Sequence, residues 1–472
     1  MLAVPLLAMA GLGLVLGFLR RPGWRRTGIL LISLAAAYLL QPATPLRYAS
    51  FWLPTAAVGL TVLVWAAVRP THSSWRQALP TVAALAGVVF ILALTRSIPQ
   101  WGWLAGLRPP PLGWVFAAGV AVALVAAAIS RPRIAAWLTA VLLAAILTTF
   151  IVLKSPPLLA ATSAALRRFS GQSPDLASPI DLVWLGFSYL AFRLLHVLLD
   201  RRAGRLPAIS LSELVSYTFF FPALTAGPID RVERFVEDLR RAPDFGPDTL
   251  REGGTRIVVG LAKKFVVADT LAMIALQPLN ADLVTSTGWL WILLYAFSFQ
   301  LYFDFSGYTD VAIGVARLAG IRLPENFQRP YLQPNLTAFW NSWHMTLAQW
   351  FRAYVFNPMT RALRSARRPW PAAAILLVGQ LTTMVLIGLW HGIGWGFLIW
   401  GAWHGLGLFI QNRWSTWMRS RTGRWWVRPV ARRIAAGAGI LVTFHFVSLG
   451  WVWFTLTDPG QAGRIFLRLF GG

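Results

Sequence analysis

The sequence predicts an all-α, polytopic membrane protein, and three observations support this class. Hydrophobic residues make up 57% of the 472 residues and charged residues only 13%, about half of the charged share in a soluble domain. Apolar runs of membrane-spanning or slightly shorter length recur along the whole chain, whereas a soluble enzyme with one anchor has a single such run. The mean hydropathy is accordingly positive, at +0.58.

We predict about eleven spanning or re-entrant helices, because a helix needs about 20 residues to cross the hydrocarbon. The clearest apolar stretches lie near 2–19, 28–41, 51–68, 79–95, 112–130, 134–153, 182–199, 371–390, 391–411 and 434–455. A shorter run after residue 210 is broken by Pro222, Gly227 and Pro228, which favours a re-entrant segment. Residues 254–278 and 286–303 are also long enough to cross.

The pattern of apolar runs becomes less regular after residue 205. Within this later part, residues 304–370 are too polar to cross continuously. We therefore expect cytoplasmic-side helices at about 304–370.

The charge pattern favours a membrane surface over nucleic acid as the partner of the basic residues. The net charge is +26, and nearly all of it is arginine, since only Lys154, Lys263 and Lys264 are lysines. In a chain with many spans, such arginines are typical of cytoplasmic loops that face anionic headgroups. We expect membrane lipid and no nucleic acid among the partners.

Several chemical classes are excluded by the residues present. The chain has no cysteine, which excludes disulfides, thiolate nucleophiles and cysteine-based metal sites. The HExxH, GxSxG and P-loop motifs are absent from the sequence. Asp304 and Asp310 have no further carboxylates close in sequence, so we expect no metal site.

Two Trp-His-Gly units stand in the apolar segment GLWHGIGWGFLIWGAWHGLG at 388–407. Their histidines, His391 and His404, are thirteen residues apart. In one continuous helix they would point about 140° apart, so at most one would be central. Glycines around His391 weaken the helix and make a break there plausible. A histidine beside such a break can present its imidazole to a cavity.

A second histidine, His344, lies in the aromatic run Trp340-Asn341-Ser342-Trp343-His344, followed by Arg352. In a single helix, Trp340 and Trp343 would share or flank the face of His344. An interfacial aromatic belt explains the tryptophans. It does not explain the neighbouring histidine, asparagine and arginine.

Taken together, ordered blocks of the chain resemble the membrane-bound O-acyltransferase (MBOAT) family. The resemblance is to the bacterial branch that includes the alginate O-acetylation acyltransferase and the teichoic acid D-alanyl transferase. The blocks are FFFPALTAGPIDRVERF at 219–235, LYFDFSGYTDVAIGVARLAGIRLPENFQRPYL at 301–332, FWNSWHMTLAQWFRAYVFNP at 339–358, GLWHGIGWGFLIWGAWHGLGL at 388–408 and FHFVSLGWVWF at 444–454. Many bacterial members have an arginine and an aspartate where this chain has Ser342 and Ala353, which leaves the acceptor open.

The resemblance implies an MBOAT fold around a central funnel. It assigns the catalytic core to residues 181–472 and leaves residues 1–180 as N-terminal transmembrane helices of uncertain likeness. It places the two catalytic histidines at His391 and His344, with His404 as the weaker candidate. We expect substrate contacts from the following residues: Trp340, Asn341, Trp343, Arg352 and Trp390.

The family also implies the reaction. An acyl group, for which we favour acetyl, is transferred from a cytoplasmic thioester to a hydroxyl of an extracytoplasmic polysaccharide or lipid-linked glycan. The implied donor is acetyl-CoA, another acyl-CoA or an acyl carrier protein, and we expect no tightly bound cofactor. An extracytoplasmic protein that accepts the acyl group is a further candidate partner. The expected location is the bacterial cytoplasmic (inner) membrane. Two alternatives stay open: D-alanyl transfer from a carrier protein to a cell-envelope polymer, and a non-catalytic transporter of acyl groups.

Overall fold

A computed structural model describes residues 3–19, 21–70, 75–98, 109–129, 132–368, 370–421 and 429–472. These residues are mostly helical and contain no β-strand. The helices are α1 (Ala3–Phe18), α2 (Pro22–Leu39), α3 (Ala49–Val68), α4 (Trp75–Leu94), α5 (Leu112–Ile129), α6 (Pro132–Lys154), α7 (Pro156–Phe169), α8 (Phe187–Arg202), α9 (Leu211–Phe219), α10 (Val232–Arg240), α11 (Pro247–Leu261), α12 (Asp269–Ala272), α13 (Pro278–Ala281), α14 (Thr287–Leu318), α15 (Leu336–Trp340), α16 (Met345–Phe351), α17 (Asn357–Arg364), α18 (Ala372–His391), α19 (Trp395–Arg421), α20 (Pro429–Thr455) and α21 (Pro459–Arg468).

Shorter helical elements connect some of these helices. Two π-helical segments, Ala262–Ala268 and Arg352–Phe356, interrupt otherwise continuous helices. The 3₁₀ turns are Thr95–Ser97, Pro174–Leu176, Pro179–Leu182, Phe221–Ala223 and Pro330–Leu332.

Five helical stretches of the described residues are long and apolar enough to cross a membrane: Ala49–Val68, Trp75–Ser97, Trp137–Lys154, Ala372–His391 and Pro429–Thr455. Two shorter apolar helices, Leu6–Phe18 and Leu112–Ala128, also lie in stretches that the sequence predicts to be membrane-spanning. The all-α, multi-pass class is therefore confirmed. The total of about eleven spanning or re-entrant helices stays a prediction.

One compact unit comprises Met1–Val258 and Asp310–Leu323. In it α3 packs against α5, α6, α8 and α9. Arg25, fully buried at the start of α2, donates hydrogen bonds to main-chain carbonyls that follow or end α10 and α14. One side chain thus satisfies carbonyl groups that helix ends leave without a partner.

The irregular segment after α9 is held in the same way by a second buried arginine. Arg193 donates to the carbonyls of Tyr217, Thr218 and Ala223. Non-helical backbone at membrane depth requires such internal partners. These contacts agree with the predicted break in the helix near Pro222.

The other compact unit comprises Val259–Thr309 and Pro324–Gly472. Its helices α18 and α19 form an antiparallel pair, and α19 also packs against α15, α20 and α21. All residues of the predicted catalytic and substrate-binding set lie in this unit. The division of the chain at residue 180 stays a prediction.

Helix α14 runs from Thr287 past residue 303 to Leu318, so it joins the apolar stretch 286–303 to the first part of the polar segment 304–370. Its two aspartates do not interrupt the helix, since each has a cationic partner. Lys264 donates to Asp304, and Arg256 donates to Asp310 at 2.5 Å. An ion pair compensates the charge that would otherwise be costly to bury.

Candidate active site

The segment that carries the two Trp-His-Gly units is a helical hairpin. Helix α18 ends at His391, and α19 begins at Trp395, so the predicted break at His391 is confirmed. Glycines bring the two helices together: an added Cβ would lie 2.2 Å from the Phe397 carbonyl oxygen at Gly388, and 2.6 Å from the Met384 carbonyl oxygen at Gly401. Only residues without a side chain permit such a close approach.

His391 stands at the end of this hairpin among aromatic rings. Its ring centroid is 4.8 Å from that of Phe454, 5.8 Å from that of Trp400 and 6.0 Å from that of Phe397. The neighbouring Trp390 ring lies at 4.5 Å. His391 is only partly buried, so its imidazole is accessible from outside the aromatic packing.

His404 is fully buried on α19, and neither ring nitrogen has a hydrogen-bond partner among the described residues. Its ring lies 4.9 Å from Trp400 and 5.1 Å from Trp340. Gly450 makes room for it, since an added Cβ there would be 2.8 Å from His404 Nε2.

The rotation argument for His391 and His404 does not hold, because its premise of one continuous helix is wrong. The turn at Gly392 reverses the chain direction, and both histidines then pack against the ring of Trp400. The fold therefore places His391 and His404 on the same tryptophan ring.

His344 lies in the turn between α15 and α16, so the expected single helix through Trp340 and His344 is wrong as well. Its backbone is left-handed, with φ 42° and ψ 52°. The side chain is 3% exposed, and burial lowers the pKa of His344 to about 3. The imidazole is therefore neutral at pH 7. It packs edge-on against Phe305 at 4.7 Å and Trp390 at 6.0 Å between ring centroids.

The two tryptophans before His344 occupy different surroundings. Trp340 lies against His404 and Trp400, and its indole nitrogen is buried without a partner among the described residues. Trp343 packs into an aromatic layer with Phe327, Phe339 and Trp451. Trp340 and Trp390 thus join the histidine cluster, and Trp343 supports it from behind.

Asn341 and Arg352 lie at the surface and pair with each other. Arg352 donates from Nη2 to Asn341 Oδ1 at 2.5 Å, and both side chains are exposed. Surface exposure suits a contact with the outer part of a substrate better than a contact at the reacting atoms.

Several aromatic residues that contact the histidines were not predicted as site residues, among them Phe397 and Phe454 beside His391. Trp400 contacts both His391 and His404, and its position one helical turn before His404 was a signal in the sequence. Phe305, which packs on His344, comes from α14, and no sequence pattern links the two.

His196, Asp200 and Glu233 of the other unit form a cluster with ligand-type atoms within 4.8 Å of one another. His196 Nε2 already accepts a hydrogen bond from the main-chain nitrogen of Val232 at 3.2 Å. Asp200 Oδ1 accepts from Arg205. These bonds give His196 a structural role and argue against a metal-binding one.

The site in the second unit thus presents three imidazoles joined by tryptophan rings, one of them partly accessible. A neutral imidazole can remove a proton from a hydroxyl and return it to a leaving group. The surrounding aromatic rings enclose His344 and His404, whereas His391 is partly accessible.

Comparison with known proteins places this site in a family. The model of the membrane-bound O-acyltransferase family matches residues 134–449. The teichoic acid D-alanyltransferase of Streptococcus thermophilus is 33% identical over 287 residues, which cover 58% of this chain and 68% of that protein.

Two O-acetylating relatives are similar to the chain at the same level of identity. The probable alginate O-acetylase AlgI of Pseudomonas aeruginosa is 33% identical over 64% of this chain and 54% of its own length. The peptidoglycan O-acetyltransferase of Helicobacter pylori is 33% identical over 56% of this chain and 48% of its own. The chain belongs to the membrane-bound O-acyltransferase family and is a multi-pass membrane O-acyltransferase.

Proposed function

We propose that this protein transfers an acetyl group from a cytoplasmic thioester to a hydroxyl of an extracytoplasmic polysaccharide or lipid-linked glycan. The proposed location is the bacterial cytoplasmic membrane. The base is assigned from the difference in exposure among the three clustered histidines. His344 and His404 are buried, whereas His391 is partly accessible and stands at the break between α18 and α19.

His391 acts as the general base in this proposal. Its neutral imidazole takes the proton of the acceptor hydroxyl as the oxygen attacks the thioester carbonyl carbon. The carbon–sulfur bond then breaks, and the imidazolium gives the proton to the leaving thiolate. Such proton transfer is worth typically about 10²–10⁴-fold in rate. Direct transfer needs no covalent enzyme intermediate.

The neutral His344 supports this step as a hydrogen-bonding group. Both of its ring nitrogens lack a partner in another described residue. One nitrogen donates and the other accepts in a neutral imidazole, so His344 can hold the thioester carbonyl or orient the hydroxyl. Trp340 and Trp390 pack beside His404 and His344, and we propose that they contact the acyl group.

The donor is proposed to be acetyl-CoA or an acyl carrier protein, without a tightly bound cofactor. Five exposed arginines suit the phosphates of CoA or an acidic carrier: Arg352, Arg361, Arg364, Arg367 and Arg368. Arginine binds phosphate and carboxylate through paired hydrogen bonds. An acyl-accepting partner protein on the opposite side of the membrane completes the proposed route.

D-alanyl transfer is the second candidate. The teichoic acid D-alanyltransferase aligns over 68% of its length, more than the 54% of the alginate O-acetylase. Purified protein given a labelled D-alanyl carrier and, separately, labelled acetyl-CoA distinguishes the two donors.

The test of the proposed base is His391→Ala in the purified protein with labelled acetyl-CoA. We expect transfer to fall by about 10²–10⁴-fold while the protein still folds and inserts. His445→Ala is the matched control, because His445 bonds Tyr295 and the Leu441 carbonyl outside the cluster. His404→Ala should retain much more activity than His391→Ala. Full activity of His391→Ala rejects the proposed base.

A further inference from the structure

His344 is one of three non-glycine residues with positive φ among the described residues. A left-handed backbone is unfavourable for a residue other than glycine, because it brings Cβ too close to the following carbonyl oxygen. Such a conformation persists only when its surroundings enforce it. The residues that enforce it at His344 therefore bear on the geometry of the site.

His344 precedes the first turn of α16, where the main-chain N–H groups need acceptors from outside the helix. The residue at this position often supplies its own side chain as the acceptor. His344 does not, since its side chain makes no capping hydrogen bond.

Asn326 supplies both acceptors instead. Its main-chain oxygen accepts from the Met345 nitrogen at 2.9 Å. Its side-chain Oδ1 accepts from the Thr346 nitrogen at 3.2 Å and from the Thr346 hydroxyl at 2.7 Å. Asn326 is 0% exposed, so these bonds form away from bulk solvent and are costly to lose.

The chain before His344 is tied to the same segment. The main-chain nitrogen of Gln328 donates to the Ser342 carbonyl at 3.0 Å. Residues 326–328 thus hold the backbone on both sides of His344. Phe327, between them, packs on Phe305 at 5.0 Å between ring centroids, and Phe305 in turn packs on the imidazole.

We propose that Asn326 is a positioning residue that caps α16 in place of His344 and so leaves the His344 imidazole free to bind substrate. The proposal rests on the function proposed above, in which His344 hydrogen-bonds the donor or the acceptor. It assigns a role to a residue eighteen positions before His344 in the chain.

The chemistry of the amide predicts which substitutions matter. Asn326→Ala removes the Oδ1 that accepts from the main-chain nitrogen and the hydroxyl of Thr346. The His344 side chain is then free to turn back and cap α16. Asn326→Asp retains an acceptor oxygen at nearly the same position and should preserve the cap in part.

The experiment compares kcat and KM of the purified full-length variants with labelled acetyl-CoA. We expect Asn326→Ala to lower kcat roughly 10- to 100-fold, which is less than the loss expected when a general acid or base is removed altogether. We expect KM to change less than about threefold. Asn326→Asp should recover part of the loss. Asn280→Ala is the matched control, because Asn280 also bonds the main chain through Oδ1 and Nδ2, at Gln277 and Ala275.

A double-mutant cycle separates positioning from general stability. If Asn326 acts through His344, adding Asn326→Ala to His344→Gln causes no further loss of kcat. The proposal is overturned if the two substitutions act independently in the double variant. It is also overturned if the kcat of Asn326→Ala stays within about twofold of that of the parent protein. The proposed function has its own test, since it is rejected if His391→Ala retains full activity in the same assay.

Discussion

Gly388 offers a direct test of whether the helical hairpin positions the proposed base. It lies three residues before His391, and an added Cβ would be 2.2 Å from the carbonyl oxygen of Phe397 and 3.4 Å from Trp400 Cε3. Since non-bonded heavy atoms settle at about 3.5 Å, Gly388→Ala requires α18 and α19 to separate by roughly 1 Å.

The structure sets the expected size of the effect. Overpacking of a tight contact costs about 1–3 kcal/mol, partly offset by the better helix propensity of alanine, about 1 kcal/mol. A misplacement of about 1 Å near reacting groups can lower the rate about 100-fold. We therefore expect Gly388→Ala to lose most transfer activity with a moderate decrease in melting temperature.

The assay measures kcat with labelled acetyl-CoA and thermal unfolding in the same detergent. Gly437→Ala in α20 is the control, because an added Cβ there meets nothing within 4 Å. It should match or exceed the parent protein in melting temperature and retain its kcat. A Gly388→Ala protein with unchanged kcat would show that the close approach of the hairpin does not position His391.

Two further predictions concern the unit that does not carry the histidine cluster. The Arg167 guanidinium, bonded to Asp181 at 2.5 and 2.7 Å, holds the pKa of that buried carboxyl below its usual value. The pair therefore contributes stability above about pH 4 and loses it as the pH falls through the folded-state pKa. Asp181→Asn should lower the unfolding free energy at pH 7, because it removes the carboxylate that the Arg167 guanidinium bonds; equal unfolding curves at pH 7 and a retained acid transition would contradict this. Arg25→Lys should lower the unfolding free energy by at least about 2 kcal/mol, since an ammonium cannot reach the spread of carbonyls that the guanidinium bonds; unchanged denaturant unfolding would refute the bracing role of Arg25.

The sequence predicted the parts of the fold that local pattern controls. Apolar runs of sufficient length located the spans at 51–68, 371–390 and 434–455, and glycines beside His391 located the end of α18. The apolar runs do not indicate that α14 continues past residue 303, because the partners of Asp304 and Asp310 are some 40 and 54 residues away along the chain. Charges look unfavourable in a helix until such partners are known.

The sequence indicated which residues lie close together at the candidate site better than it indicated how they are arranged. His344, His391, Trp340 and Trp390 do lie in one unit and share aromatic neighbours. The arrangement depends on a reversal of the chain after His391 and on a cap supplied by Asn326. Neither follows from helical periodicity, which assumes that the helix continues.

The ring of tryptophan and phenylalanine around the imidazoles has a consequence for the stability of the bound donor. A thioester is open to hydrolysis whenever water can reach its carbonyl. His344 and His404 are enclosed by aromatic side chains, so in the proposed reaction water can reach the thioester carbonyl only from the side of His391. We therefore expect the enzyme to hydrolyse little donor in the absence of acceptor. Each thioester consumed would then correspond to one acylated hydroxyl.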